Sequence, residues 1–195
     1  DAVTSIQRLA RDIPTAVIVY DLIPHLYPDI YLSNPTARMW YEEKINHLRQ
    51  ADLCLAISES TRRDVIEHLE FSEDRTVNIS SDADACFRNI DISPTTEATI
   101  RAKHGLDRPF VMYTGGVDSR KNIEGIIRAY ALLPKSLRLR HQLAIVCAIG
   151  KGPRKSLARL AAKHGLHEDE LTLTGYVPDE DLLHLYNLCA LFVFP

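Results

Sequence analysis

The chain has no GxGxxG and no GxxxxGK[ST], so neither the usual dinucleotide fingerprint nor a P-loop is present. It has no apolar run long enough to cross a membrane, and its net charge of −3 argues against a nucleic-acid partner. The four cysteines, Cys54, Cys86, Cys147 and Cys189, show neither zinc-type nor redox spacing. Three of them lie in or beside apolar runs, the pattern of small buried hydrophobes in a reducing compartment. No carboxylate pair stands out as acid and nucleophile. His25, His47 and His68 have no partner spacing that suggests metal or triad chemistry, and no metal or cofactor is expected.

What is present is an alternation of short apolar runs with amphipathic stretches. Ala16 to Tyr20 and Leu53 to Ile57 read as parallel strands covered on both faces. Between them Asn34 and Pro35 open a helix that runs to about Gln50. A second helix follows, with Thr61 and Asp64 in a capping-box pattern and Val65, Ile66 and Leu69 as its buried stripe. Between about Ser80 and Arg108 the alternation lapses into a polar, turn-rich segment, broken by one short helix near Thr96 to His104. That segment is where a linker between two α/β units falls. Beyond it, strands are expected at Phe110 to Tyr113, Leu143 to Ala148, Leu171 to Thr174 and Leu191 to Phe194. Helices start near Ile123, Pro153 and Pro178, the last with Leu182, Leu183 and Tyr186 inward. The fold class is α/β, with doubly wound parallel sheets whose ligands bind beyond the carboxyl ends of the strands.

YTGGVDSRKN, Tyr113 to Asn122, is the most informative stretch. Gly115 and Gly116 let the backbone turn and approach a ligand closely, and Arg120 and Lys121 sit just ahead of a helix whose first-turn N–H groups point back toward them. Backbone donors, a helix dipole and two cations suit a phosphate or diphosphate. A solvated surface loop is the competing reading on local sequence alone. Asp21, at the carboxyl end of its strand, is a candidate polar contact, with a helix or turn cap as the alternative.

Taken in order, VIVYDLIPHLYPDIY, LAISESTRRDV, YTGGVDSRKNIEGIIRAY, LAIVCAIGKGP and LTLTGYVPDEDLLHLYNLCALFVFP resemble the retaining glycosyltransferases of family four. These have the GT-B fold, and the resemblance is strongest to bacterial mannosyltransferase-like members of polysaccharide and lipopolysaccharide assembly. It implies two Rossmann-like portions, both incomplete in this chain: residues 1–80 the later part of an acceptor-side domain, 81–108 a linker, and 109–195 the first part of a donor domain. It implies transfer of a hexose, mannose being one possibility, from a nucleoside diphosphate sugar to a glycan or lipid-linked acceptor with retention. The expected place is the cytoplasm, with peripheral membrane association at the inner face open.

By resemblance, Gly115, Gly116, Arg120 and Lys121 cradle the donor diphosphate, and the backbone at Tyr176 and Val177 meets the nucleobase. Many members carry His-Asp where this chain has Tyr20-Asp21, and the family's pair of glutamates is expected shortly after Pro195. The beginning at DAVTS and the end at ALFVFP suggest a piece of something longer. Three alternatives stay open: a nucleotide-sugar-binding relative without catalysis, a GT-B nucleotide-sugar epimerase, and a dinucleotide-dependent oxidoreductase, which the missing glycine fingerprint disfavours.

Overall fold

A computed structural model of the chain describes residues 13–195; residues 1–12 of the expected first domain lie outside the described residues. Two compact units divide between Ala83 and Asp84.

The first unit is a three-stranded parallel sheet in the order β1 (Ala16–Val19), β2 (Leu53–Ala56), β3 (Thr76–Asn78). β3 is absent from the sequence reading, because in a three-residue strand only Val77 is strongly apolar and no period can be seen. Two single-turn helices, α1 (Ile23–Leu26) and α2 (Pro28–Tyr31), precede α3 (Pro35–Leu48). Asn34 caps α3 as expected, its Oδ1 accepting the N–H groups of Thr36 and Ala37 at 2.9 and 3.1 Å.

The cap of α4 (Glu59–Leu69) differs from expectation. Ser58 is the N-cap, accepting the Thr61 N–H at 3.1 Å, whereas Thr61 lies inside the helix and its hydroxyl donates to the Tyr20 carbonyl at 2.9 Å. A hydroxyl one turn inside a helix can leave it for a nearby strand end, which local spacing does not reveal. Val19, Leu22, Ile45, Leu48, Cys54, Val65, Leu69 and Phe71 make the buried core.

The second unit holds a four-stranded sheet in the order β6 (Leu171–Leu173), β5 (Gln142–Val146), β4 (Phe110–Thr114), β7 (Leu191–Phe192), all parallel. All five residues of β5 are buried. Alternation along β4 and β5 explains why the runs are continuously apolar: Tyr113, Leu143 and Ile145 face one core, and Phe110, Met112, Ala144 and Val146 face the other. The first core is closed by α6 (Ile123–Ala131) and α8 (Lys151–Lys163) through Ile123, Ile126, Ile127, Tyr130, Leu157 and Ala161. The second is closed by α5 (Pro94–His104) and α9 (Asp179–Leu188) through Ile100 and Leu185. A short helix, α7 (Lys135–Arg138), leads into β5, and its Arg138 donates to both carboxylate oxygens of the buried Glu170 at 3.0 and 3.2 Å. Helices on both faces of a parallel sheet are the doubly wound arrangement read from the sequence.

Two details depart from that reading. Residues 94–108, expected as the far part of a linker, belong to the second unit: Ile100, Leu106 and Phe110 share one core, and Ser93 caps α5 through the Thr96 N–H at 3.1 Å. In α9 the fully buried position is Leu185 rather than Leu182, Leu183 or Tyr186, and Asp181 is buried beside it. The amphipathic stripe is shifted because α5 covers the Asp181 side. There Lys103 Nζ and His104 Nε2 both reach Asp181 Oδ2 at 2.7 Å. Burial works to raise the Asp181 carboxyl, but the hydrogen bonds and charges of Lys103 and His104 outweigh it and hold the group below its ordinary range.

A folded-state pKa below the unfolded one stabilises above the unfolded value, and that stabilisation is lost as pH falls through the folded value. Asp181→Asn is therefore expected to cost about 1.5–3 kcal/mol in denaturant unfolding at pH 7. The gap to wild type should close once the pH drops below the usual carboxylate range.

Candidate functional site in the second unit

Parallel pairing brings the carboxyl ends of β4, β5, β6 and β7 to one edge of the sheet, and the loops that matter leave from there. The loop after β4 is locked at its base. The Thr114 hydroxyl donates to the Val146 carbonyl of β5 at 2.7 Å. The fully buried Tyr113 sends its hydroxyl past Gly115 to the Gly116 carbonyl at 2.8 Å. Gly115 has φ +147°, and a Cβ there would stand 2.8 Å from the Tyr113 hydroxyl, so both backbone angle and space demand glycine.

Beyond Val117 the chain makes one tight turn, Ser119–Lys121, before Asn122, at φ 45°, starts α6. No side chain caps this helix through Asn122, so its N-terminus is not closed by that residue. The Asn122 side chain instead lies over Gly125, where a Cβ would come within 2.5 Å of its Oδ1.

Both expected cations are in this turn, and both are engaged. Arg120 donates through Nε to Asp118 Oδ1 at 2.8 Å, and the same oxygen accepts the Arg120 backbone N–H at 3.2 Å. The hydrogen bond from the Arg120 side chain is the main reason the Asp118 carboxyl titrates below its ordinary range. Lys121 Nζ stands over the Phe194 ring, 5.1 Å from its centroid, and that ring stacks on Tyr113 at 6.1 Å. Asp118, Phe194 and the Tyr113 hydroxyl were not singled out from the sequence. Only Asp118 carried a local signal, an Asp two residues before a backbone N–H it can cap.

Tyr176 and Val177 leave the same edge after β6, and they separate by burial. Tyr176 is exposed, while Val177 packs into the core shared by Val146 and Leu185. Gly175, at φ 84°, makes the bend between strand and loop. In the first unit Asp21 Oδ1 accepts the Ile23 N–H at 3.0 Å, a turn contact just ahead of α1, whose N-cap is Leu22. The structure thus places Gly115, Gly116, Arg120 and Lys121 in one turn and Tyr176 and Val177 on the same sheet edge. Asp21 belongs to the other unit.

A concavity of about 290 Å³ opens beside the turn, lined by Val117, Asp118, Asn122, Glu124, Arg128 and Ser156 among others. Neither glycine of the pair nor either cation lines it, and Glu124 already holds Arg128 at 2.7 Å. The concavity therefore lies beside the Gly115–Lys121 turn, apart from its glycine pair and its two cations. Burial pushes the Cys54 and Cys147 thiols up to about 11, which leaves neither as a thiolate nucleophile near neutral pH. Among the described residues no three His, Cys, Asp or Glu side chains form a group that could hold a metal.

Residues 96–195 match the family model described as glycosyl transferases group 1. The chain is 38% identical over 181 residues to the serotype-specific mannosyltransferase WbdA of Escherichia coli, covering 93% of this chain and 22% of that protein. It is 32% identical over 192 residues to the O-antigen chain mannosyltransferase B of Escherichia coli, covering 96% of this chain and 48% of that one. The chain therefore spans between about a fifth and a half of the length of these relatives. Among solved structures, WaaG, a glycosyltransferase involved in lipopolysaccharide biosynthesis, superposes with a TM-score of 0.68 at 18% identity over 94% of this chain and 51% of that one. The Anabaena protein HepE in complex with UDP-glucose gives 0.69 at 19% identity over 93% and 46%. At such identities these structures speak for the shared GT-B fold. The family match, over just over half of the chain's length, shows that the chain belongs to the group 1 glycosyltransferases.

Proposed function

We propose that the intact protein transfers a hexose, mannose in the first instance, from a nucleoside diphosphate sugar to a hydroxyl of a growing bacterial polysaccharide or lipid-linked glycan, with retention of configuration. The observation that carries the donor assignment is the turn after β4, where Gly115, Gly116, Arg120 and Lys121 lie within one loop that leads into the N-terminus of α6. The names of the mannosyltransferase relatives support the sugar and the pathway, and the UDP-glucose complex of HepE supports a nucleotide-sugar donor.

As the bond between the sugar C1 and the phosphate oxygen breaks, its electron pair goes to the diphosphate and negative charge grows there. Arg120 and Lys121 are the groups assigned to stabilise it, and removing one such preorganised donor typically costs on the order of 10²–10³ in rate. No metal is required for this role. Tyr176 and Val177 are assigned to the nucleobase through their backbone, with buried Val177 as the anchor. Asp21 is assigned to a polar contact on the acceptor side, secondary to its hydrogen bond from the Ile23 N–H.

Four free cysteines support a reducing compartment, so the cytoplasm is the assigned location, with peripheral association at the inner face of the membrane where a lipid-linked acceptor would be met. Among the described residues no helix is long and apolar enough to cross a membrane.

Calorimetric titration of the intact protein with UDP, GDP and the free nucleosides tests the donor site. Arg120→Ala and Lys121→Ala are each expected to weaken diphosphate binding about tenfold or more while nucleoside binding changes little. Equal diphosphate affinity in all three proteins would remove the assignment. Gly115→Ala should cost about 1–3 kcal/mol in unfolding free energy, because alanine tolerates neither the backbone angle nor the Tyr113 hydroxyl, and should weaken diphosphate binding in the same titration.

A further inference from the structure

The turn that suits a phosphate already contains an anion. Asp118 Oδ1 accepts both the backbone N–H and the Nε–H of Arg120. Its other oxygen, Oδ2, folds back over Gly116, so close that a Cβ on that glycine would lie 3.3 Å away. Lys121 also acts on this carboxylate through its charge, and the Lys121 N–H donates to the Asp118 carbonyl at 3.0 Å. One carboxylate thus draws on the same cation, the same backbone N–H and the same open glycine face that an incoming phosphate would use. Arg120 and Asp118 are both substantially exposed, so the pair can open without unpacking the core.

We infer that Asp118 is an internal stand-in for the donor diphosphate, holding Arg120 in place while the site is empty and competing with the diphosphate for it. This rests on the donor-site reading and adds a residue that reading did not use. Asp118 acts on the ligand through Arg120, so it is a positioning residue rather than a catalytic one. The pairing keeps the guanidinium in the turn before the donor arrives, and it lowers affinity because one charge beside Arg120 cancels part of its field. As the product diphosphate leaves, the carboxylate returns to Arg120 and hastens its departure. An exposed ion pair is weak, so the competition is modest.

Asp118→Asn in the intact protein separates these effects, because the amide oxygen can still accept the Arg120 N–H while the charge is gone. UDP or GDP is expected to bind about twofold to fivefold more tightly to this variant and to dissociate correspondingly more slowly in stopped flow. In an Arg120→Ala background the same Asp118→Asn change should give a clearly smaller gain, since the guanidinium is gone while the backbone N–H of residue 120 and the Lys121 charge remain. An equal gain in both backgrounds would mean simple repulsion between Asp118 and the diphosphate, and the stand-in role would be wrong. Unchanged or weaker binding by Asp118→Asn would also overturn it. If wild type binds diphosphate and Arg120→Ala weakens it, either result sinks only the Asp118 inference; if Arg120→Ala binds as wild type does, the donor-site reading itself has failed.

Discussion

Parallel strand pairing is the constraint from which the rest follows. With β4, β5, β6 and β7 all running the same way, every strand must release its chain at the same edge, and each return must cross a face as a helix. That fixes two cores, one under α6 and α8 and one under α5 and α9, and it gathers the loops after β4 and β6 on one rim. The continuous burial of β5 and the Thr114 to Val146 hydrogen bond make this rim a rigid platform. On that base Gly115 takes a backbone angle open to glycine, φ +147°, while Tyr113 reaches up from the core to tie the Gly116 carbonyl.

The chemistry of the rim is electrostatic and local. Two cations, an open glycine face and a helix N-terminus lie within one turn, and the first charge to meet them belongs to the protein itself. Lys121 is held by an aromatic face, that of Phe194, whose ring also stacks on Tyr113. Arg120 is held by a carboxylate. These are different kinds of restraint: a ring face leaves an ammonium its charge, whereas a carboxylate cancels part of a guanidinium's. The two cations are therefore restrained on unequal terms.

Much of this was legible in the sequence where the signal is local. The Asn34-Pro35 start of α3 and the apolar runs of β4 and β5 each follow from propensity or period within a few residues. The group 1 membership was likewise readable from motifs in series. What escaped depends on partners far along the chain. Ser58 rather than Thr61 caps α4 because Thr61 is drawn to Tyr20, some forty residues away in sequence. Leu185 rather than Leu182 is the buried heart of α9 because α5 claims Asp181 on the adjoining face. The polar stretch before Arg108 reads as a linker carrying one short helix, yet that helix is sealed into the second unit by Ile100 and Leu106. At the site, two cations in a row suggested a vacancy for an anion, and only the folded turn reveals that Asp118 reaches the first of them.

On the proposed function, the turn after β4 receives the diphosphate of a nucleotide sugar. A crystal structure of the intact protein with a bound nucleoside diphosphate tests it most directly. Phosphate oxygens are expected at hydrogen-bond distance, about 2.7–3.1 Å, from the backbone at Gly116 and from Arg120 or Lys121, with the Asp118 carboxylate turned away from Arg120. A diphosphate bound elsewhere on the second unit, with Asp118 and Arg120 still paired, would contradict it.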